Sequence, residues 1–254
     1  TSLDAYNLKY PTSVEYFEPK SGKEFQLNCQ LKLHGGNGRR PTNSPKHGFE
    51  FGFKSIYGPS KLNFDIFEEK NSVKEFNTLI LRPTYNNSWT KNSATQQQIA
   101  QYVTDPWAKN LQLLMDHDAG HERFIHLYIN GLYWGVYNIT EQLDAVYMGD
   151  YMKGSEEEFD VIRGGDTSAA DGNLTAWNSL KSAITNVSSN TNYQKIQGKN
   201  PDGSVNSSYS NLLDVDNYID YMLINYYMGN LDWKNNWTVA RNRVQNDKGF
   251  RFFC

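Results

Sequence analysis

Two alternating apolar runs, Ile125 to Ile129 and Leu132 to Ile139, are separated only by Asn130-Gly131. An Asn-Gly pair readily places both central residues at positive φ, the backbone of the tight turn that matches strand twist, so this stretch specifies an antiparallel hairpin. A lone hairpin is marginal in water and needs further strands or helices against one face. The chain supplies them. Phe25, Leu27, Cys29, Leu31 and Leu33 alternate with Gln26, Asn28, Gln30, Lys32 and His34, Phe49, Phe51 and Phe53 alternate again, and Thr78 to Arg82 is a short apolar run ended by Pro83. Period-two alternation is the signature of half-buried strands, so the N-terminal half predicts an antiparallel sheet.

Helical spacing dominates elsewhere. Ile99, Val103, Trp107, Leu111 and Leu114 fall on one face, and Asp105-Pro106 divides the run as N-cap and first residue of a second helix. Thr140-Glu141-Gln142 leads from the hairpin into a helix over about Leu143 to Met152. Phe159 to Ile162 reads as a short strand, and Trp177, Leu180, Ala183 and Ile184 mark another helix. Residues 186–210, rich in Ser, Asn, Thr and Gly, read as a long surface loop. Asp214 or Asp216 caps the next helix, whose stripe of Tyr218, Ile219, Met222, Leu223, Tyr226 and Tyr227 reads as core packing. Thr238 to Val244 and Phe250 to Phe253 close the chain as strands around the turn-rich Gln245 to Gly249.

Composition bounds the rest. A length of 254 residues suits one large domain or two lobes. A net charge of −3 argues against duplex nucleic acid as a partner. Aromatics at 14%, with 17 Tyr and 6 Trp, are incompatible with a disordered chain and point to aromatic-lined surfaces. Cys29 falls at an apolar strand position and reads as a buried free thiol. No apolar run approaches the roughly 18 residues that span a bilayer. The chain opens at Thr1 in polar sequence without a signal peptide, and its abrupt ends suggest part of a longer protein.

Three stretches carry chemistry. In Gly229 to Trp237, Asp232 is followed three and four residues later by Asn235 and Asn236, between a helical stripe and a hairpin. A phosphoryl-transfer loop needs a carboxylate to accept the attacking hydroxyl's proton and a carboxamide oxygen for a divalent metal. The same residue types also simply turn a chain, and spacing alone does not separate the two readings. The run His34-Gly35-Gly36-Asn37-Gly38-Arg39-Arg40-Pro41 joins strand to strand, so it is not a Walker loop. Its glycines let backbone N–H groups approach phosphate, with Arg39, Arg40 and Lys46 as counter-charge; a plain hairpin loop is the other reading. His117 and His121 have the i, i+4 spacing that binds zinc on a helix, but Asp118-Ala119-Gly120 sits where the helix should stop.

The order strand, Gly-rich loop, strands, helix, hairpin, helices, Asp/Asn loop and hairpin is that of a protein-kinase-like fold. The chain resembles the CotH-type atypical kinases, in particular the branch found in large secreted bacterial proteins. The residues that carry the likeness are Pro11 to Glu15, Leu33 to Gly36 through Arg39, Ser44-Pro45-Lys46, Tyr128 to Asn138 with Glu141, and Asn230 to Trp233 with Asn236-Trp237 and Arg241-Asn242-Arg243. The resemblance implies an α+β, two-lobed protein-kinase-like fold, with an antiparallel-sheet N-lobe over 1–141 and a mainly helical C-lobe over 142–254. It implies ATP with Mg or Mn, and phosphorylation of protein hydroxyls, Ser in particular. By position, Asp232 matches the catalytic-loop Asp, and Asn236 or Asn235 the metal-binding carboxamide. Lys46, Arg39, Gly35, Gly36, Arg82 and Glu141 fall on the nucleotide side, with Glu141 meeting either adenine or a basic partner.

Two departures qualify this. The family's Trp-Asp-x-Glu segment after the last strand is absent, so the C-lobe reads as incomplete at its C-terminus and the chain as impaired in transfer. Residues 93–115 hold no Glu to pair with a strand cation; Gln96, Gln97, Gln98 and Asp105 are the polar candidates. The likeness implies an extracellular or cell-surface setting, a protein substrate, and an assembly at the surface or on polysaccharide. The alternative is a non-catalytic binding or adhesion module for carbohydrate or protein, motivated by Trp89, Trp107, Trp134, Trp177, Trp233 and Trp237.

Overall fold

The computed structural model describes residues 7–164, 168–234, 236–245 and 248–254. Asn235, and Asn246 and Asp247 of the expected final turn, lie outside the described residues. The chain divides into two compact units, Thr1–Pro106 with Gly120–Gln142, and Trp107–Ala119 with Leu143–Cys254.

The first unit is built on one antiparallel sheet. Its strands are β1 (Lys9–Glu18), β2 (Lys23–His34), β3 (Gly48–Gly52), β6 (Thr78–Arg82), β7 (Glu122–Ile129) and β8 (Leu132–Glu141), and two short strands, β4 (Leu62–Asn63) and β5 (Glu75–Phe76), pair separately. The sheet order is β1-β2-β3-β6-β8-β7, each pair antiparallel. At the β7–β8 turn Asn130 has φ 50° and Gly131 φ 79°, the two positive values the Asn-Gly signal specifies. The alternation read from sequence sends Cys29, Leu79, Leu81, Tyr137 and Ile139 to one face. That face is closed by Phe53, at the end of the second alternating run, and by Leu62, Ile66, Phe67 and Phe76, from a segment with no periodic signal of its own. Cys29 is fully buried and unpaired, and burial pushes its thiol up to about 11. Strand β1 was not legible as a strand: Pro11 interrupts it, which the backbone tolerates because β1 is a sheet edge. The inward residues Thr12, Val14 and Tyr16 alternate behind that proline.

Helix α1 (Ala94–Ile99) is capped by Ser93, and α2 (Thr104–Leu114) follows. Helix α2 starts at Thr104, one residue before the expected cap Asp105, so Asp105 and Pro106 both occupy its first turn, where the missing proline N–H costs nothing.

The second unit holds α3 (Ala145–Met152), β9 (Phe159–Arg163), α4 (Thr175–Ile184), α5 (Asn190–Lys195), α6 (Val215–Tyr227), β10 (Thr238–Asn242) and β11 (Arg251–Phe253). β10 pairs antiparallel with β9 and β11 in the order β11-β10-β9. β10 ends at Asn242, short of the expected Val244, because the Asn242 side chain accepts the N–H groups of Val244 and Gln245 and turns the chain. Residues 186–210 are not a plain loop. Ser189 caps α5 by accepting from Asn192 N, and Ile196 O accepts from Leu212 N at 2.8 Å, so local hydrogen bonds order a stretch that composition alone reads as irregular.

Helix α6 corrects the expected core stripe. Its buried face is Asn217, Tyr221, Ile224 and Asn225, whereas Ile219, Leu223, Tyr226 and Tyr227 are 49, 54, 67 and 76% exposed. Buried amides are tolerated when bonded. Asn217 is bonded to β11: its Nδ2 donates to Phe252 O at 3.2 Å and its Oδ1 accepts from Phe252 N at 2.6 Å. Gln112 of α2 brackets the same strand, donating to Phe252 O at 2.7 Å and accepting from Cys254 N at 2.8 Å. Two side-chain amides thus occupy the open edge of β11. The cap of α6 is Asp214, which accepts from Asn217 N at 3.2 Å.

Candidate functional site

The glycine-rich run leaves β2 at His34. Gly35 has φ 102°, and a Cβ at Gly35 or Gly36 would meet nothing within 4 Å, so the backbone there is open to a ligand. A short 3-10 turn follows at Asn37–Arg39. His47 Nδ1 donates to Gly38 O at 3.0 Å and ties the loop's return to its middle. Arg39 donates from Nη1 to Asn7 Oδ1 at 2.8 Å, and among the described residues its buried Nε has no hydrogen-bond partner.

Lys46 is buried where the loop re-enters the sheet. Its Nζ donates to Val136 O and stands 4.5 Å from the Tyr137 ring centroid and 5.7 Å from that of Tyr102. Burial lowers its pKa, and among the described residues no carboxylate pairs with it. Gly135, with φ 111°, lets β8 pass close by: a Cβ there would lie 3.4 Å from Lys46 Nζ. The second glycine of Asn-Gly-Leu-Tyr-Trp-Gly is therefore a positive-φ residue that also makes room for an ammonium. A cation held by a carbonyl and ring faces, without a counter-ion, is suited to take up an anion.

Arg82 ends β6 and forms an ion pair with Asp105 in the first turn of α2, Nη2 to Oδ2 at 2.5 Å. This is a strand-to-helix cation–carboxylate pair. Sequence reasoning named Asp105 as a candidate and could not choose it, because spacing does not say which helical residue faces the strand. The adjacent carboxylate pushes the Arg82 guanidinium above its ordinary range. Glu141, at the end of β8, is buried and meets a basic partner: its Oε2 accepts from His121 N at 2.8 Å and His121 Nδ1 at 2.9 Å. His117 instead donates from Nε2 to Asp220 Oδ2 at 2.8 Å, and since α2 ends at Leu114 the two histidines share no helical face. Among the described residues no group of three or more His, Cys, Asp or Glu stands where it could hold a metal.

In the second unit the Asp232 loop follows α6. Asp232 and Asn236 are both exposed. Asp232 is held by its main chain, its N donating to Asn230 Oδ1 at 3.0 Å and its O accepting from Asn236 Nδ2 at 3.0 Å. That bond uses the Asn236 nitrogen, so Oδ1, the hard oxygen a divalent cation takes, is the atom not used in it. The structure thus brings Asp232 and Asn236 together, puts Arg82 in an ion pair with Asp105 and sets Glu141 in hydrogen bonds with His121. Arg243 has a structural role: its Nη1 donates to Asp160 Oδ1 at 3.0 Å and to Phe159 O at 3.1 Å, closing β9 onto the chain after β10.

Sheet and helix mixed in both units make this an α+β protein with an antiparallel sheet and several helices. A model of the CotH kinase protein family matches residues 36–253, a span that includes Gly36, Arg39, Lys46, Arg82, Glu141, Asp232 and Asn236. The chain belongs to that family. No curated protein matches it. Among the described residues no helix is long and apolar enough to cross a membrane.

Proposed function

We propose that the chain is a protein-kinase-like domain that transfers a phosphoryl group from ATP, with Mg or Mn, to protein hydroxyls, with residues 1–141 as its nucleotide lobe and 142–254 as its catalytic-loop lobe. The observation that carries the reading is the Asp232 loop: an exposed carboxylate whose main chain is bonded on both sides, next to a carboxamide whose oxygen is not used in that bonding. When bound, the nucleotide and metal would supply the transferable group and neutralise its charge. Asp232 would orient the acceptor hydroxyl and take its proton as the bond from that oxygen to the γ-phosphorus forms and the bond from the γ-phosphorus to the leaving ADP breaks. The Asn236 carboxamide would supply one oxygen to a cation that keeps waters and completes its shell with phosphate oxygens, as Mg does. Lys46 and Arg82 supply positive charge toward phosphates, and the open backbone of Gly35 and Gly36, followed by Arg39, supports a phosphate-facing loop. Glu141 holds His121 and so braces the end of β8. The secreted branch that the chain resembles supports an extracellular or cell-surface setting and a protein substrate.

The test is transfer of labelled phosphate from ATP to a Ser-containing acceptor protein. Asp232→Ala should lower the rate at least about 10²-fold with the fold intact. Unchanged transfer in that variant removes Asp232 from the reaction. A second reading, a binding module, rests on the exposed aromatic end of the β7–β8 hairpin, where Tyr128 and Tyr133 lie 5.2 Å apart beside the exposed Trp134. Calorimetric titration with ATP–Mg and with oligosaccharides separates the two: heat with sugar alone supports the second.

A further inference from the structure

We propose that Asn225 is a positioning residue for Asp232, acting from the buried face of α6 through Asn230. The inference rests on the reading of Asp232 as the group that orients the acceptor hydroxyl.

The end of α6 has a defined form. Gly229 has φ 59°, its N donates to Tyr226 O at 3.1 Å, and Asn230 N donates to Asn225 O at 3.0 Å. This pair of bonds is the Schellman ending, in which the residues at the Asn225 and Asn230 positions commonly make an apolar contact. Here that contact is a hydrogen bond instead: Asn230 Nδ2 donates to Asn225 Oδ1 at 2.8 Å. Asn225 is 5% exposed and also donates from Nδ2 to Tyr221 O at 2.8 Å.

The choice of residue is informative. Asn is a poor helix former, and a buried amide needs partners, so an apolar residue at 225 would end the helix as well or better. What an apolar residue would not do is fix the Asn230 amide. With Nδ2 committed to Asn225, Asn230 Oδ1 faces the other way and accepts from Asp232 N at 3.0 Å. The helix end thus passes through two amides to the main chain of Asp232. Catalysis by positioning is sensitive to this, since a displacement of about 1 Å can cost roughly 10²-fold in rate.

Two variants separate positioning from packing. Asn225→Leu keeps the volume, restores the usual apolar contact and removes the acceptor. Asn225→Asp keeps an acceptor for Asn230. The expected result is that Asn225→Leu melts no lower than the natural protein and keeps its KM for ATP. Its kcat should fall by about 10-fold to 10²-fold, whereas Asn225→Asp stays within a few-fold of the natural kcat. Hydrogen exchange at the Asp232 amide, measured on the same proteins, gives a readout that needs no activity: Asn225→Leu should speed it by about tenfold or more. Asn225→Leu with natural kcat and natural exchange overturns the inference while transfer abolished by Asp232→Ala keeps the functional reading. An inactive natural protein sinks the functional reading instead, and the exchange rate still decides whether Asn225 holds the loop.

Discussion

Burying an ammonium without a carboxylate beside it lowers stability, and Lys46 is held this way by Val136 O and two tyrosine rings. Its folded pKa lies below the ordinary 10.5, so between these two values the unfolded chain binds the extra proton. The penalty is therefore fully present below the folded pKa and is relieved as pH rises through it. Lys46→Met should raise the melting temperature at pH 7, and the gain should shrink as the pH of the melt approaches 10.5. The same variant should lose ATP-dependent stabilisation. A second residue shows the opposite balance. Gly172 has φ 73°, and a Cβ there would collide with Arg243 Nη1, Asp160 Oδ1 and Phe159 O. Gly172→Ala should cost roughly 2–4 kcal/mol in denaturant unfolding, since strain and collision act together.

Between elements, side-chain amides take roles that apolar packing fills in most folds. Asn217 and Gln112 share Phe252 O, so each can partly cover for the other. Asn217→Leu should cost about 2–3 kcal/mol because it strips the Phe252 N–H of its bond as well. A double-mutant cycle with Gln112→Leu should show a coupling of at least about 0.5 kcal/mol; additivity would mean that the two amides do not work on the same carbonyl. The β6–α2 link behaves differently. Arg82 and Asp105 are 42 and 31% exposed, so solvent screens the pair and Asp105→Asn should change stability by less than about 1 kcal/mol. If the pair aims the guanidinium at phosphates, the variant should raise KM for ATP several-fold, and exchanging the two residues should restore the melting temperature but not KM.

At the scale of the molecule, the second unit is discontinuous in sequence. Segment Trp107–Ala119 supplies it with Gln112 on β11, His117 on Asp220, Trp107 on Tyr227 and Asp118 on Arg251. A chain of residues 143–254 alone should therefore fail to melt cooperatively, by near-UV circular dichroism, where the full chain does. A cooperative melt of that piece would show that α2 is dispensable to the unit. The exposed row Ile219, Leu223, Tyr226 and Tyr227 lies on the side of α6 away from Asn217 and Asn225, and Leu231, next to Asp232 in the chain, is 94% exposed.

What could be read in the residues alone was whatever depends on local chemistry. The β7–β8 hairpin follows from two residues that accept positive φ, the strands β2 and β3 follow from period-two alternation, and β6 follows from a short apolar run ended by Pro83. A cap at Asp214 or Asp216, which the structure assigns to Asp214, and the family itself were legible for the same reason, as short patterns of residue type. Tertiary structure decided the rest, because a hydrogen bond between distant residues leaves no period in the sequence. Hydropathy counts Asn217 and Asn225 as surface residues; the main chain of β11, the turn at Asn230 and Tyr221 O make their burial favourable. Likewise Asp105 became the partner of Arg82, and His121 that of Glu141, through the placement of strands and helix in three dimensions.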